Sequence, residues 1–364
     1  MTEPTQKETR PGWLSTPARR DEPQGQTGLR AYVQRLMRGK SLGREEAAGF
    51  LDALLDPAAT DAQIGAALVA LAVKGETIDE LAGMAAAMRA RSVRLRTRHA
   101  RFIDTAGTGS SASKTFNVST AAAFIIAGAG LPVAKHGSRA ATSRSGSADV
   151  LTALGVNVSA PPRVMEECLD EAGVCFMFAP LYHGATARVA GVRRELGVHT
   201  TFNLLGPLTN PAGAPRQLVG VWHPALVEPL ARTLDALGTE RAWVVHGRDG
   251  LDEVTIADKT VVAEAGGGGV RVFEVRPAEF GYRAASLERL RGGDADGNAR
   301  IIRDVLEGKR RDEARELVAA NAAAALVVGG LADGLGAAAR LAEKSIDEGA
   351  ALGALESLRR VTNA

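Results

Sequence analysis

Asp104-Thr-Ala-Gly107-Thr108-Gly109-Ser110-Ser111-Ala-Ser113-Lys114-Thr115-Phe-Asn117-Val118-Ser119-Thr120 leads from a short apolar strand, through a glycine- and hydroxyl-rich turn, into an apolar helix. One helix later a second such junction follows, Lys135-His136-Gly137-Ser138-Arg139-Ala140-Ala141-Thr142-Ser143-Arg144-Ser145-Gly146-Ser147. Junctions spaced by about thirty residues suit a right-handed βαβ unit. Gly107 and Gly109 let the backbone turn tightly and present N–H groups to an oxyanion. The helix opened by Ser119 and Thr120 adds its positive end. The second junction contributes Lys135 as a point charge, with Arg139 and Arg144 among Thr142, Ser143, Ser145 and Ser147. Helix capping explains Ser119 or Ser147 singly. It does not explain so many hydroxyls beside three cations. The pair of junctions points to one site gripping a polyanionic ligand from two sides.

Outward from these loops, short apolar strands are expected near 102–103, 133–134, 175–178, 219–221 and 242–245, alternating with helical stretches. That alternation reads as a parallel sheet covered by helices. Residues 29–90 read instead as several short helices. Leu29, Tyr32, Val33 and Leu36 share one face, Ser41 is the expected cap of a second helix with Glu45 in its first turn, and Thr77 with Glu80 has the form of a capping box. Residues 182–202 return to an Arg-rich helical pattern, and from Gly292 the chain is Ala-rich helix. The expected class is α/β, with a small all-α lobe beside a large α/β lobe built on a central, mostly parallel sheet. The expected division is a disordered tail over 1–28, an α lobe over 29–98 completed by helices near 182–215, and an α/β lobe over 99–181 and 216–364.

Composition narrows the function classes. The chain has 364 residues, 45% hydrophobic and 24% charged, with a net charge of +2, so no global field attracts polyanions. Aromatics make up 4%, too few for base stacking along single-stranded nucleic acid. Arg89, Arg91, Arg94, Arg96, Arg98 and Arg101 form a basic run without interleaved aromatics, which favours a solvated linker over a nucleic-acid footprint. No apolar run reaches membrane-spanning length, and the N-terminus lacks a secretory signal's apolar stretch. Cys168 and Cys175 read as reduced core thiols of a cytosolic protein.

Two further segments carry chemistry. Asp252-Glu253 follows the loop His246-Gly-Arg-Asp-Gly-Leu, and adjacent carboxylates near phosphate loops suit Mg²⁺, which takes one or two carboxylates, waters and substrate phosphates. Gly191-Val-Arg193-Arg194 precedes Asn203-Leu-Leu-Gly206-Pro207-Leu-Thr-Asn210-Pro211. An arginine there can meet a substrate carboxylate bidentately, and Asn203 with the Gly-Pro turn would fix a hinge between lobes. His136 reads as a structural hydrogen-bonder, without a proton-transfer role.

The ordered series Gly-Thr-Gly, Asn-x-Ser-Thr, Lys-His-Gly-x-Arg, Val-Arg, Asn-x-Leu-Gly-Pro-Leu-Thr-Asn-Pro and Asp-Glu resembles the anthranilate phosphoribosyltransferase family. The likeness runs from about Leu29 to the C-terminus and includes Lys74-Gly75-Glu76-Thr77, Gly292-Gly-Asp with Asn298, and Asn321-Ala-Ala-Ala. It implies a type IV phosphoribosyltransferase fold related to nucleoside phosphorylases, usually a cytoplasmic homodimer formed through the α lobe. The implied reaction joins the amine of anthranilate to C1 of 5-phosphoribosyl 1-diphosphate (PRPP), with release of pyrophosphate, in tryptophan biosynthesis.

By position, the resemblance assigns Gly107, Ser110, Ser111, Thr115, Asn117, Val118, Ser119, Thr120, Lys135, His136, Gly137, Ser138, Arg139, Ala140, Ala141, Thr142, Ser143 and Ser147 to PRPP. Gly107, Ser138 and Arg193 fall to anthranilate, and Ser119, Asp252 and Glu253 to Mg²⁺, with two ions expected. No residue is assigned as general acid or base, because an aromatic amine is already neutral at pH 7. The chain departs from the family at three places. Ser110-Ser111-Ala112 replaces Gly-Gly-Asp-Gly, Ser138 replaces an asparagine, and Gly184 replaces a proline. A different aromatic amine or acid as acceptor, phosphorolysis of a nucleoside, and a non-catalytic nucleic-acid-binding paralogue are the competing readings.

Overall fold

A computed structural model describes residues 28–109, 113, 115–140 and 145–364. The expected N-terminal tail therefore lies almost wholly outside the described residues, as do Ser110, Ser111, Ala141, Thr142 and Ser143.

Four helices open the described chain: Leu29–Met37, Arg44–Leu55, Asp61–Lys74 and Ile78–Arg91. The third and fourth start where side chains satisfy the free amides of a first turn. Thr60 accepts from Gln63 N while Gln63 accepts from Thr60 N, and Thr77 and Glu80 exchange the same pair of bonds. The second helix corrects the expected Ser41 cap. It begins after Gly43, whose N–H is bound by Glu46 at 2.8 Å, and the Ser41 carbonyl accepts from Arg35 instead. Glu80 is fully buried, and Lys74 answers it at 2.8 Å while Leu42 N–H donates at 2.9 Å. A buried carboxylate is tolerable only with such partners.

The remaining chain builds one seven-stranded sheet, in the order β3-β2-β1-β4-β5-β6-β7. The strands are β1 (Ile103–Asp104), β2 (Val133–Gly137), β3 (Val174–Phe178), β4 (Arg216–Gly220), β5 (Arg241–Gly247), β6 (Thr260–Gly266) and β7 (Gly269–Val275). β1 to β5 are parallel. β6 and β7 pair antiparallel and were not among the expected strands. They form a hairpin closed by Gly267 and Gly268, both at positive φ, which is the backbone hand that a two-residue hairpin turn needs.

Alternation along β5 assigns each side chain to a face. Trp243 and Val245 join one buried cluster, whereas Ala242 and Val244 join another. The first cluster packs the sheet against Val118–Gly128 and the Ala-rich helix Glu313–Gly329, whose small side chains are buried on every side. The second unites the N-terminal helices with Ala187–Leu196, Thr201–Leu208 and Val227–Ala236. The basic run between lobes is bonded rather than free along much of its length. Arg89 donates to Leu208 O at 2.7 Å, Arg91 pairs with Asp52 and Arg98 with Asp170. Cys168 and Cys175 are buried free thiols. No helix among the described residues is long and apolar enough to cross a membrane.

Candidate active site

β1 lies between β2 and β4, so the strand order reverses there. A crevice at the carboxyl ends of strands flanking such a switch point is where open α/β sheets bind ligands. A cavity of about 350 Å³ occupies this position. Its wall brings together segments 107–109, 115–120, 135–140, 145–147, 252–253 and 292–293, with Ser113, Asn203 and Asn298. Every described residue assigned above to PRPP or Mg²⁺ lies on it.

The first junction is strapped to β4. Gly107 bridges Gly220, and Thr108 donates to Gly220 O through both its N–H (2.9 Å) and its hydroxyl (3.2 Å). Gly220 has no room for more than hydrogen, since a Cβ there would lie 1.7 Å from Asp252 O. That contact seats the acidic pair directly beside the first junction. Helix Val118–Gly128 then begins at the cavity, with Thr120 Oγ buried and without a partner among the described residues.

Glu253 faces Ser119, whose backbone N–H and hydroxyl favour its charged form. It opens onto the cavity on one side and is enclosed by protein on the others. Burial and the neighbouring Asp252 push its carboxyl well above the usual range, while Lys135 and Ser119 pull it back. Lys135 Nζ sits below the same helix end, 2.5 Å from Thr105 O and 3.3 Å from Ser119 Oγ. Burial pushes this amine downward, opposed by Asp104 and Glu253.

Asp104 is fully buried and accepts from Asn210 Nδ2 at 2.7 Å and from His136 N–H at 3.1 Å. Burial raises its carboxyl to about 6 against the pull of Lys135 and of these donors. Neither Asp104 nor Asn210 stood out as a site residue, because they meet only across the fold. His136 bonds Gly206 O through Nδ1 at 3.1 Å and stands edge-on to His183 at 5.1 Å. Burial and the neighbouring His183 drive His136 down to about 3, and burial takes His183 down to about 4. Both rings are neutral at pH 7.

The second junction is closed by Asp149, a residue outside the expected site. Its carboxylate accepts from Ala140 N and Gly146 N at 3.0 Å each and from Arg139 at 2.8 Å. An acidic residue in the first turn of a helix, here Ser147–Ala153, was the available signal. Ser138 is exposed at the cavity mouth, and its carbonyl accepts from Ser147 Oγ and Ala148 N.

Arg193 is the one described site residue not on the cavity wall. It stands behind Asn203, donating through Nη2 to Asn203 Oδ1 at 3.1 Å and through Nε to Thr200 Oγ at 3.0 Å, with its guanidinium over Phe202. Asn203 does line the wall. Gly292, Gly293 and Asn298 also line it. They belonged to the sequence likeness but not to the expected site.

The donor set fits a magnesium ion. Two adjacent carboxyl groups and one hydroxyl line the same wall, and burial with the Asp252 charge disfavours ionisation of Glu253 in a way a bound cation would relieve, while Mg²⁺ characteristically leaves its remaining positions to water and phosphate. Among the described residues no cluster of three or more His, Cys, Asp or Glu offers a fully protein-built metal cage.

Comparison with known proteins agrees in extent and topology. A glycosyl transferase family α/β-domain model matches residues 99–352, and the family's helical bundle model matches 30–92. The chain is 51% identical over 330 residues to anthranilate phosphoribosyltransferase of Moorella thermoacetica, covering 91% of this chain and 97% of that one. The solved anthranilate phosphoribosyltransferase of Thermus thermophilus superposes with a TM-score of 0.86 at 40% identity, over 92% of this chain and 99% of that one. The Saccharomyces cerevisiae enzyme, solved with PRPP and Mg, gives 0.84 at 26% identity, over 92% and 98%.

Proposed function

The chain belongs to the anthranilate phosphoribosyltransferase family, and we propose that its cavity holds PRPP between the two junctions with the acceptor toward Ser138 and Arg193. The enzyme transfers the phosphoribosyl group of PRPP to the amine of anthranilate, giving N-(5-phosphoribosyl)anthranilate and pyrophosphate in tryptophan biosynthesis. One observation carries the cavity assignment: two helix N-termini, Lys135 and the Asp252-Glu253 pair converge on a single space.

Ser119, Asp252 and Glu253 would hold Mg²⁺, which would supply positive charge to balance the departing pyrophosphate. Two ions suit a pair of adjacent carboxylates facing a substrate with two phosphate-bearing ends. The chain's own part is positional. The amides of the helix start and Lys135 meet phosphate oxygens, and Gly107 lets the backbone approach the ribosyl ring closely. As the glycosidic C–O bond breaks, C1 becomes cationic and the amine attacks it. Anthranilate's amine carries a free electron pair at pH 7, so attack needs no strong base within the wall. Arg193, oriented by Thr200 and Asn203 just behind the wall, keeps Nη1 for an acceptor carboxylate that extends past Asn203.

Self-association through the helical lobe is supported by Met37, Val69 and Val73, exposed apolar residues on two helices of that lobe. A homodimer would cover them, and Val73→Glu sedimenting as a monomer would support that interface. We place the reaction in the cytoplasm, where buried free thiols such as Cys168 and Cys175 stay reduced. The direct test of function is a steady-state assay with PRPP, Mg²⁺ and anthranilate, read as loss of anthranilate fluorescence. No turnover with these three, but turnover with another aromatic amine, would reassign the acceptor.

A further inference from the structure

We propose that Asn298 is a positioning residue for PRPP, acting through Asn117. This inference rests on the assignment of the cavity to PRPP. Asn298 is 3% exposed, in the first turn of helix Ala295–Leu306, and 181 positions from Asn117 in the chain. Its Oδ1 accepts from Gly293 N–H at 2.8 Å, so the other end of its amide must donate. That end, Nδ2, lies 3.0 Å from Asn117 Oδ1. Asn117 must therefore accept with its oxygen, and its Nδ2 donates to Ser145 O at 3.3 Å.

Backbone groups fix both ends of this relay, since a peptide N–H can only donate and a carbonyl can only accept. The orientation of both amides follows from chemistry alone. One N–H of Asn117 goes to Ser145, and the second is left for the cavity that Asn117 lines. The relay joins three wall segments: the first junction, the second, and the Gly292-Gly293 turn. The third segment is pressed close, as Thr115 bridges Arg291 and a Cβ on Gly292 would lie 2.3 Å from Thr115 O. Asn298 thus decides that Asn117 presents a donor, the polarity an anionic ligand requires, and holds it at a set distance from the second junction.

Asn298→Asp separates this role from a packing role. The carboxylate can still accept from Gly293 N–H, but it has no proton for Asn117 and faces its oxygen. The expected result is a PRPP KM raised about tenfold or more, with the anthranilate KM within about twofold and the melting temperature little changed. In an Asn117→Ala background the same substitution should add no further loss for PRPP, because the residue through which it acts is gone. Additive losses, an unchanged PRPP KM, or equal rises in both KM values overturn the proposal. Should Asn298→Asp not fold, Asn298→Ser carries the same cycle. Calorimetric titration with PRPP and Mg²⁺ gives the same ratios without turnover. A parent protein that takes up no PRPP would sink the cavity assignment itself, a result distinct from normal binding by both parent and variant.

Discussion

Lys135 and Glu253 both answer to Ser119: the Lys135 amine lies 3.3 Å from Ser119 Oγ, and the N–H and hydroxyl of Ser119, with the Lys135 charge, favour the ionised form of Glu253. An amine and a carboxyl group are thus stationed on two sides of a helix N-terminus that already attracts anions. Burial disfavours the charged form of each, and each draws the other back toward it. Such a centre is receptive to phosphate on the lysine side and to a cation on the carboxylate side.

Glu253→Gln keeps the shape and removes the charge. The Mg²⁺ concentration for half-maximal activity is expected to rise about tenfold or more, by analogy with the cost of disturbing a metal's surroundings. An unchanged metal titration would take Glu253 out of the metal site.

Arg193→Ala should raise the anthranilate KM about tenfold or more, the scale of one lost charge-assisted pair, with the PRPP KM nearly constant. Arg193→Lys should recover little, because a lysine has one ammonium where Thr200, Asn203 and a carboxylate ask for a planar fork. Equal effects on both substrates would remove Arg193 from acceptor recognition.

Gly220→Ala tests the strap between the first junction and the acidic pair. The added methyl meets the Asp252 carbonyl, which is backbone and cannot swing aside. A stability loss of about 1–3 kcal/mol is expected from overpacking, together with weaker Mg²⁺ dependence. A variant with parental melting temperature and metal titration would show that the contact relaxes freely.

Acid should destabilise the protein through His136 and His183. Both are held far below the ordinary histidine value of about 6.5, down to about 3 and about 4, so the unfolded chain takes up their protons first. Their contribution is full above about pH 6.5 and is lost as pH falls toward 4. Asp104, raised to about 6, and Glu253, raised to about 8, work the other way, favouring the fold as pH drops through those values, so the parent's net slope is the balance of both pairs. The histidine part is isolated by His183→Asn, which is expected to lose less melting temperature than the parent, or to gain more, between pH 7 and 5. A slope identical to the parent's would contradict this account.

How much of this was legible beforehand depended on how local the physics is. The strand-to-helix junction from Gly107 to Thr120 is legible because a few consecutive residues supply the glycines, the hydroxyls and the helix start. Thr77 with Glu80 announces a helix start within four residues, and the structure has that pair of bonds. The Ser41 expectation missed because Glu46 reaches the Gly43 amide and takes over the first turn. The β6–β7 hairpin breaks the alternation of strand and helix on which the expected sheet rests. Its signal, valine-rich runs on either side of four glycines, was present in the chain.

By itself the amino-acid order determined the two glycine- and hydroxyl-rich junctions, the acidic pair and the α-then-α/β succession of lobes, since each arises from neighbours within a turn or two. Only the folded chain decided that Asp104 meets Asn210 and that Asn298 donates to Asn117, contacts spanning 106 and 181 positions. It also set Arg193 behind Asn203 instead of on the wall. Hydrogen-bond polarity in a buried wall is settled by whichever backbone group happens to face each amide. That is a property of packing, and no local pattern of residues encodes it.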